Sequence, residues 1–419
     1  MVFGREGDDT IFGEAGNDTL FGEADDDQLS GGAGDDELTG GAGSDVVDGD
    51  AGNDTIFVSG DGVADVYDGG ANIDTLDASL VGEGVTIDLR GGQTMTSDTS
   101  SIGVDSISGF ENIVGSNFDD TFFGSTLAND IQGGGGDDVV YLDATGAADV
   151  LAGGETGETN GDTLNASLYG SGLTISLDGA QTVNSGDTIS EFENVVGTNY
   201  NDIITENSAE SNTIIAGVGD DTIIVLNDTN ADSFDGGAEA TRDILDLSNV
   251  TSGVTIDFSA GTMSGASIGT DAVAEFEEVI GTDQDDTFTG DNAVNEYVDG
   301  GEGSETNGDT LNLSAAAGLV IVDLTGNADV SGWTIIGGAG GGDAFKNFEV
   351  FQGSAFNDIF YGNSATDDSF QGGLGDDVFA WSSGADIYDG GAGEDSVYFV
   401  TDGAVPSLGA SITEGVSVT

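Results

Sequence analysis

The sequence contains no cysteine and no histidine, a single proline, and four basic residues: Arg5, Arg90, Arg242 and Lys346. Without cysteine there are no disulfides and no thiolate metal sites, and without histidine no Ser-His-Asp or Cys-His catalytic arrangement can form. Borderline and soft metals lose their preferred ligands for the same reason. So few bases make no patch that could replace the counterions of DNA or RNA, which excludes nucleic acid as a partner, and an anionic membrane surface with it. No run of about 18 apolar residues is present, so no membrane insertion is expected. The opening "MVFGREGDD" lacks the apolar core of a cleaved secretory leader, which leaves a leaderless export route or a chain that is part of a longer one.

What the sequence does have is acid and glycine. Its 419 residues hold 80 Asp and Glu and 73 Gly, for a formal net charge of −76. Four bases cannot offset that charge, so the compensation must come from solution. Such a composition suits a disordered acidic tail, yet 37% of the residues are hydrophobic and recur in β-type clusters such as "TIF", "VTIDL" and "DIFY". The chain is therefore expected to fold, conditionally on a counter-ion.

Six nonapeptides run without a gap: "GREGDDTIF" from residue 4, then "GEAGNDTLF", "GEADDDQLS", "GGAGDDELT", "GGAGSDVVD" and "GDAGNDTIF" to residue 57. The sixth position is always aspartate (Asp9, Asp18, Asp27, Asp36, Asp45, Asp54) and the eighth always aliphatic (Ile11, Leu20, Leu29, Leu38, Val47, Ile56). Beyond residue 57 the beat loosens into longer units, marked by "GFENIVGSNFDD", "EFENVVGTNYND", "EFEEVIGTDQDD" and "NFEVFQGSAFND". Their phenylalanines, Phe110, Phe192, Phe276 and Phe348, lie 82, 84 and 72 residues apart. Upstream of each stands a step of the "DTL" type, at Asp74, Asp162, Asp243 and Asp309. Single nonapeptides persist inside these units, among them "GGGGDDVVY", "GGLGDDVFA" and "GGAGEDSVY".

Glycines at positions one, two and four tolerate positive φ, so "GGxGxD" is expected to turn tightly. The remaining three residues form a short strand whose middle side chain points inward. Two words make one flattened coil, and stacked coils pair their strands in parallel around a narrow core. Stacking also brings the aspartates to about 4.8 Å from one another, where two like charges repel by roughly 3 kcal/mol at an effective dielectric near 20. A few such contacts rival a domain's whole stability of about 5–15 kcal/mol. A hard divalent cation resolves the conflict; calcium, which accepts six to eight oxygens in flexible geometry, suits the donor set better than magnesium.

The word GGxGxDxUx, with U a large aliphatic residue, resembles that of the RTX (repeats-in-toxin, hemolysin-type) calcium-binding β-roll proteins. The strict pattern covers residues 4–57 and scattered later words, and the "FENVVG…NDT" units resemble those interspersed among RTX words in large secreted bacterial proteins. The resemblance implies type I secretion to the exterior and folding on extracellular calcium. Two departures stand out: Asp25 replaces a fourth-position glycine, and "GSTLANDIQ" from residue 124 has lost its loop glycines.

The expected architecture is all-β, a parallel β-roll or β-helix solenoid, with tandem nonapeptides over 1–57, long repeats over 58–399 and a tail over 400–419. Calcium ligands are expected at the six array aspartates and at Asp74, Asp138, Asp221, Asp377 and Asp395. Asp120, Asp202, Asp286 and Asp358, in words with an incomplete glycine framework, are candidates whose alternative role is to cap a turn. The recurrent phenylalanines are expected to form an internal ladder rather than a sugar-binding face. Every acid has many copies, whereas catalysis needs one unusual constellation, so no enzyme is expected. The function expected is a calcium-binding structural protein of the bacterial surface or matrix, with self-association or a cell-surface polymer as partner. The alternative is a non-catalytic secretion and folding module of a larger exported enzyme or toxin.

Overall fold

The structure is a computed structural model that describes residues 1–97, 102–142, 147–183, 185–237, 242–290, 297–301, 303, 305–324, 334–335, 337–338, 344–363, 366–382 and 384–399. Among them no helix is long and apolar enough to cross a membrane. Two compact units emerge: Met1–Asn207 with Asn212–Gly217, and Ser208–Ser211 with the residues from Val218 onward.

In the first unit the nonapeptides make a parallel β-roll. Strand Thr10–Phe12 pairs with Gln28–Ala33, Thr19–Ala24 with Glu37–Ala42, and each partner lies 18 residues on, so two words complete one coil. The ladder continues through residue 58 with longer coils, as Val46↔Val66 and Thr55↔Thr75. One column of inward side chains runs in register through Leu20, Leu38, Ile56, Leu76, Ile113, Ile131 and Leu151, all at most 2% exposed. Each three-residue strand gives the core its middle side chain, and residues just beyond strands, such as Val58, Ala78 and Phe110, are buried as well.

The long repeats hold strands that run against the coils. Val85–Asp88, Thr94–Ser97 and Val104–Ser108 form an antiparallel meander whose last strand lies parallel to Val66–Asp68 and whose first lies parallel to Thr121–Phe123. Thr174–Ser176, Thr182–Val183 and Thr188–Ser190 repeat the device in the opposite sheet. The second unit has the same device at Val254–Asp257, Thr262–Gly265 and Gly269–Ala274, and again where Val320–Asp323 pairs with Gly337–Gly338. The parallel solenoid expected from the sequence is present, and the meanders are added to it: in each the chain crosses one face three times before returning to the other. The alternation of "VTID" reflects this placement: Val85 and Ile87 face the core while Thr86 and Asp88 face outward.

The second unit fills its core with aromatics. Phe288, Leu311, Phe351, Phe370 and Tyr388 stand in register, and Phe351 and Phe370 stack at 5.5 Å between centroids. Phe110, Phe192, Phe276 and Phe348 are all buried, as core residues rather than surface platforms.

Candidate metal centre

The sixth-position aspartates form a hydrogen-bonded ladder of two separate rails, one for alternate words. The backbone N–H of Asp9 donates to Asp27 Oδ1 at 2.7 Å, Asp18 to Asp36 at 2.7 Å, Asp27 to Asp45 at 2.9 Å and Asp36 to Asp54 at 2.7 Å. It continues from Asp54 to Asp74 and from Asp120 to Asp138. In the second unit it runs from Asp221 to Asp243 and from Asp358 through Asp377 to Asp395. Asp27, Asp36, Asp45, Asp54, Asp74, Asp138, Asp221 and Asp377 are buried, whereas Asp9, Asp18 and Asp395 are half-buried.

A second ladder occupies position five and points the other way. Asp35 N–H donates to Asn17 Oδ1 at 3.1 Å, Ser44 to Asp26 at 2.8 Å, Asn53 to Asp35 at 3.0 Å and Asp376 to Asn357 at 2.9 Å. This ladder is exposed and uses asparagine and aspartate interchangeably, because an amide oxygen accepts a hydrogen bond as well as a carboxylate does here. Position six is aspartate in all six array words. A neutral acceptor would serve the ladder there too, so the invariant charge points to a ligand beyond the ladder.

The second carboxylate oxygen divides the words into two kinds. In Asp9, Asp27, Asp36, Asp45, Asp54, Asp74, Asp138 and Asp377, Oδ2 is buried and meets no hydrogen-bond donor among the described residues. In Asp120, Asp202, Asp286 and Asp358 it accepts the backbone N–H of Ser116, Thr198, Thr282 and Ser354 at 2.6–2.7 Å, and the same hydroxyls donate to Oδ1. The difference lies in the word's second residue. Where the oxygen is open, that residue has positive φ, from 69° at Asp50 to 116° at Gly41 in the first array; Ser116, Thr198, Thr282 and Ser354 do not. Asp120, Asp202, Asp286 and Asp358 thus act as turn caps. Where position six is Asn129, its Oδ1 accepts the Ser125 N–H and its amide donates to the Glu111 carbonyl, so position six offers no carboxylate.

The first-position glycine has a role the sequence did not reveal. It has ordinary φ, unlike positions two and four. It is required by space: a Cβ on Gly31 would lie 2.5 Å from Asp36 Oδ2 and 2.8 Å from the Gly49 carbonyl oxygen of the neighbouring coil. The words of Asp9, Asp27, Asp36, Asp54, Asp138 and Asp377 each gather a charged oxygen and a carbonyl oxygen around a glycine Cα, a hard, all-oxygen donor set that fits calcium. Asp25, the fourth-position departure, takes φ 73° and receives the Gly7 N–H at 3.0 Å, so the loop survives the substitution.

Without a cation this arrangement is electrostatically costly. Burial first, then repulsion between neighbouring carboxylates, raises Asp45, Asp54 and Asp74 to about 6, Asp377 to about 7 and Asp138 to about 8. The described ion pairs, Arg90–Asp88, Arg242–Glu278 and Lys346–Asp299, leave these carboxylates untouched.

Sequence reasoning missed Asp105, Asp162, Asp271 and Asp309, whose Oδ2 is also buried without a donor. A signal existed for two of them. "GGETGETNGD" and "GGEGSETNGD" are nonapeptides stretched by four residues, and a Cβ on Gly153 or Gly300 would run into Asp162 or Asp309, just as one on Gly31 would run into Asp36.

A family model described as the RTX calcium-binding nonapeptide repeat (4 copies) matches residues 2–29, 24–56, 114–146, 347–379 and 364–397. No curated protein matches the chain. The matched segments contain the open words of the first array, of Asp138 and of Asp377. The chain carries RTX calcium-binding repeats, and the ion they bind is Ca2+.

Proposed function

We propose that this is an exported, non-catalytic structural protein of a bacterial surface or extracellular matrix, one that calcium folds and then assembles. The observation that carries the proposal is the spread of the open aspartates through both units, from Asp9 to Asp377. Calcium is then part of the scaffold throughout rather than a local cofactor, which suits a setting where calcium is abundant. RTX repeats are typical of exported, extracellular proteins, in keeping with the matches at both ends of the described chain. The open aspartates are proposed as the ligands, and the four capped ones as turn residues. A surface of such charge repels its copies until divalent ions bridge them.

The test is sedimentation velocity with electron microscopy, at several protein concentrations, in calcium and after chelation. Expected are calcium-dependent oligomers that disperse on chelation. A calcium-loaded chain that stays monomeric at high concentration would overturn the assembly reading and favour a secretion and folding module.

A further inference from the structure

The eight residues "ETNGDTLN" occur twice, at 158–165 and at 305–312, once in each unit. Both copies close a stretched word in the same way. Asp137 accepts the N–H groups of Thr159 and Asn160 and the Asn160 side-chain amide, at 2.7–3.1 Å. Asp285 does the same for Thr306 and Asn307 at 2.6–3.1 Å. The pinned loop carries a glutamate, Glu158 or Glu305, back over the buried ladder aspartate. From the next coil a second glutamate arrives: Glu193 Oε2 accepts the Asp162 N–H at 2.8 Å, and Glu349 Oε2 accepts that of Asp309 at 3.0 Å. Its entry requires Gly161 and Gly308, where a Cβ would lie 2.8 Å and 2.7 Å from the Cβ of Glu193 and Glu349.

The outcome is two triads, Glu158–Asp162–Glu193 and Glu305–Asp309–Glu349, whose carboxylate oxygens lie within 4.8 Å of one another. Asp162 and Asp309 are 0% exposed, and their Oδ2 atoms meet no donor among the described residues. At Asp74, in an unstretched word, the ladder has Glu111 in the equivalent place.

We propose that each triad is a divalent-cation site that differs from the open nine-residue words in putting three carboxylates on one ion, and that these two sites take calcium ahead of the rest. Affinity for calcium rises with the number of charged ligands and with the rigidity of the loop, and these loops have both. The inference rests on calcium as the ion of the array, but concerns glutamates outside the nonapeptide pattern.

The test is a calcium titration of the metal-free chain against a competing chromophoric chelator, on wild type and on Glu158→Gln/Glu305→Gln. Expected is a wild-type class of two ions that fills at least tenfold below the remainder. That class disappears in the double variant while the later class is retained. A wild type that binds calcium in one class, or a variant that keeps the tight pair, overturns the triads and leaves the array reading intact; a wild type that binds no calcium sinks both. Glu158→Lys/Glu305→Lys, which sets an ammonium where the ion would sit, is expected to fold in calcium without the tight class. Failure of both variants to fold at saturating calcium would show the glutamates to be packing elements, and would overturn the proposal.

Discussion

Acid should do part of what calcium does. Burial, followed by repulsion from Asp120 and Asp162 at Asp138, from Glu158 and Glu193 at Asp162, and from Asp286, Glu305 and Glu349 at Asp309, raises all three carboxyls to about 8 in the metal-free fold. In the unfolded chain an aspartate titrates near 3.9. A folded value above the unfolded one means that each group's stabilising contribution is complete below about pH 4, is lost as pH rises, and is gone above about pH 8. At about 1.4 kcal/mol per pH unit, acidifying from pH 8 to pH 5 stabilises the metal-free fold by roughly 4 kcal/mol for each such group. One group is thus a large share of the stability of a domain, about 5–15 kcal/mol. The sequence pI is ≈ 4.1, so the chain is still anionic at pH 5. Circular dichroism and sedimentation in metal-free buffer should show an expanded chain at pH 8 and a compact β-rich one at pH 5. An expanded chain at both values would refute the reasoning, as would a compact one at pH 8. With calcium present the proton becomes a competitor, and the calcium midpoint should rise as pH falls.

Neighbouring residues of one word provide a matched pair of charge changes. Asp36→Asn should raise the calcium midpoint for folding several-fold, whereas Asp35→Asn, at the position Asn17 and Asn53 already occupy, should barely move it; equal shifts in a titration followed by circular dichroism would reduce calcium to general screening. Gly31→Ala puts a methyl among the oxygens of Asp36 and Gly49 and should cost about 1–3 kcal/mol from overpacking, with a higher calcium midpoint. Gly60→Ala, with nothing within 4 Å of the new Cβ and no positive φ, should be neutral or stabilise by up to about 1 kcal/mol; thermal melts in calcium compare the two. Phe351→Ala removes a fully buried ring stacked on Phe370 and should destabilise the second unit by about 3–5 kcal/mol, read from denaturant melts in calcium.

The coil was legible in the sequence because one strict period carries both the core and the charge: the spacing of Leu20 and Leu38 is also that of Asp18 and Asp36. The antiparallel meanders were not. "VTIDL" alternates identically whether its neighbours run parallel or antiparallel, and only pairing such as Ile87↔Met95 fixes the direction. Periodicity likewise found the sixth-position aspartates without distinguishing open from capped. That distinction depends on the backbone of the second residue, where Glu23 at φ 81° behaves as glycine does and Ser116 does not. The stretched words of Asp162 and Asp309 escaped because their inserted residues hide a nine-residue word from any fixed count. The fifth-position ladder escaped because aspartate, asparagine and serine look like ordinary turn residues until their partners one coil away are seen.

The most direct test of the central claim, that bound calcium and not bulk salt holds the stacked aspartates together, is a titration of the metal-free chain at pH 7.5 with calcium chloride. Potassium chloride at matched ionic strength serves as the comparison, with circular dichroism and sedimentation coefficient read on the same samples. Expected is a chain with little β-signal and a low sedimentation coefficient in chelator, which gains both together, cooperatively, in calcium and gains neither in potassium. A chain already β-rich and compact without a divalent ion, or one that potassium folds as well as calcium does, would contradict the claim.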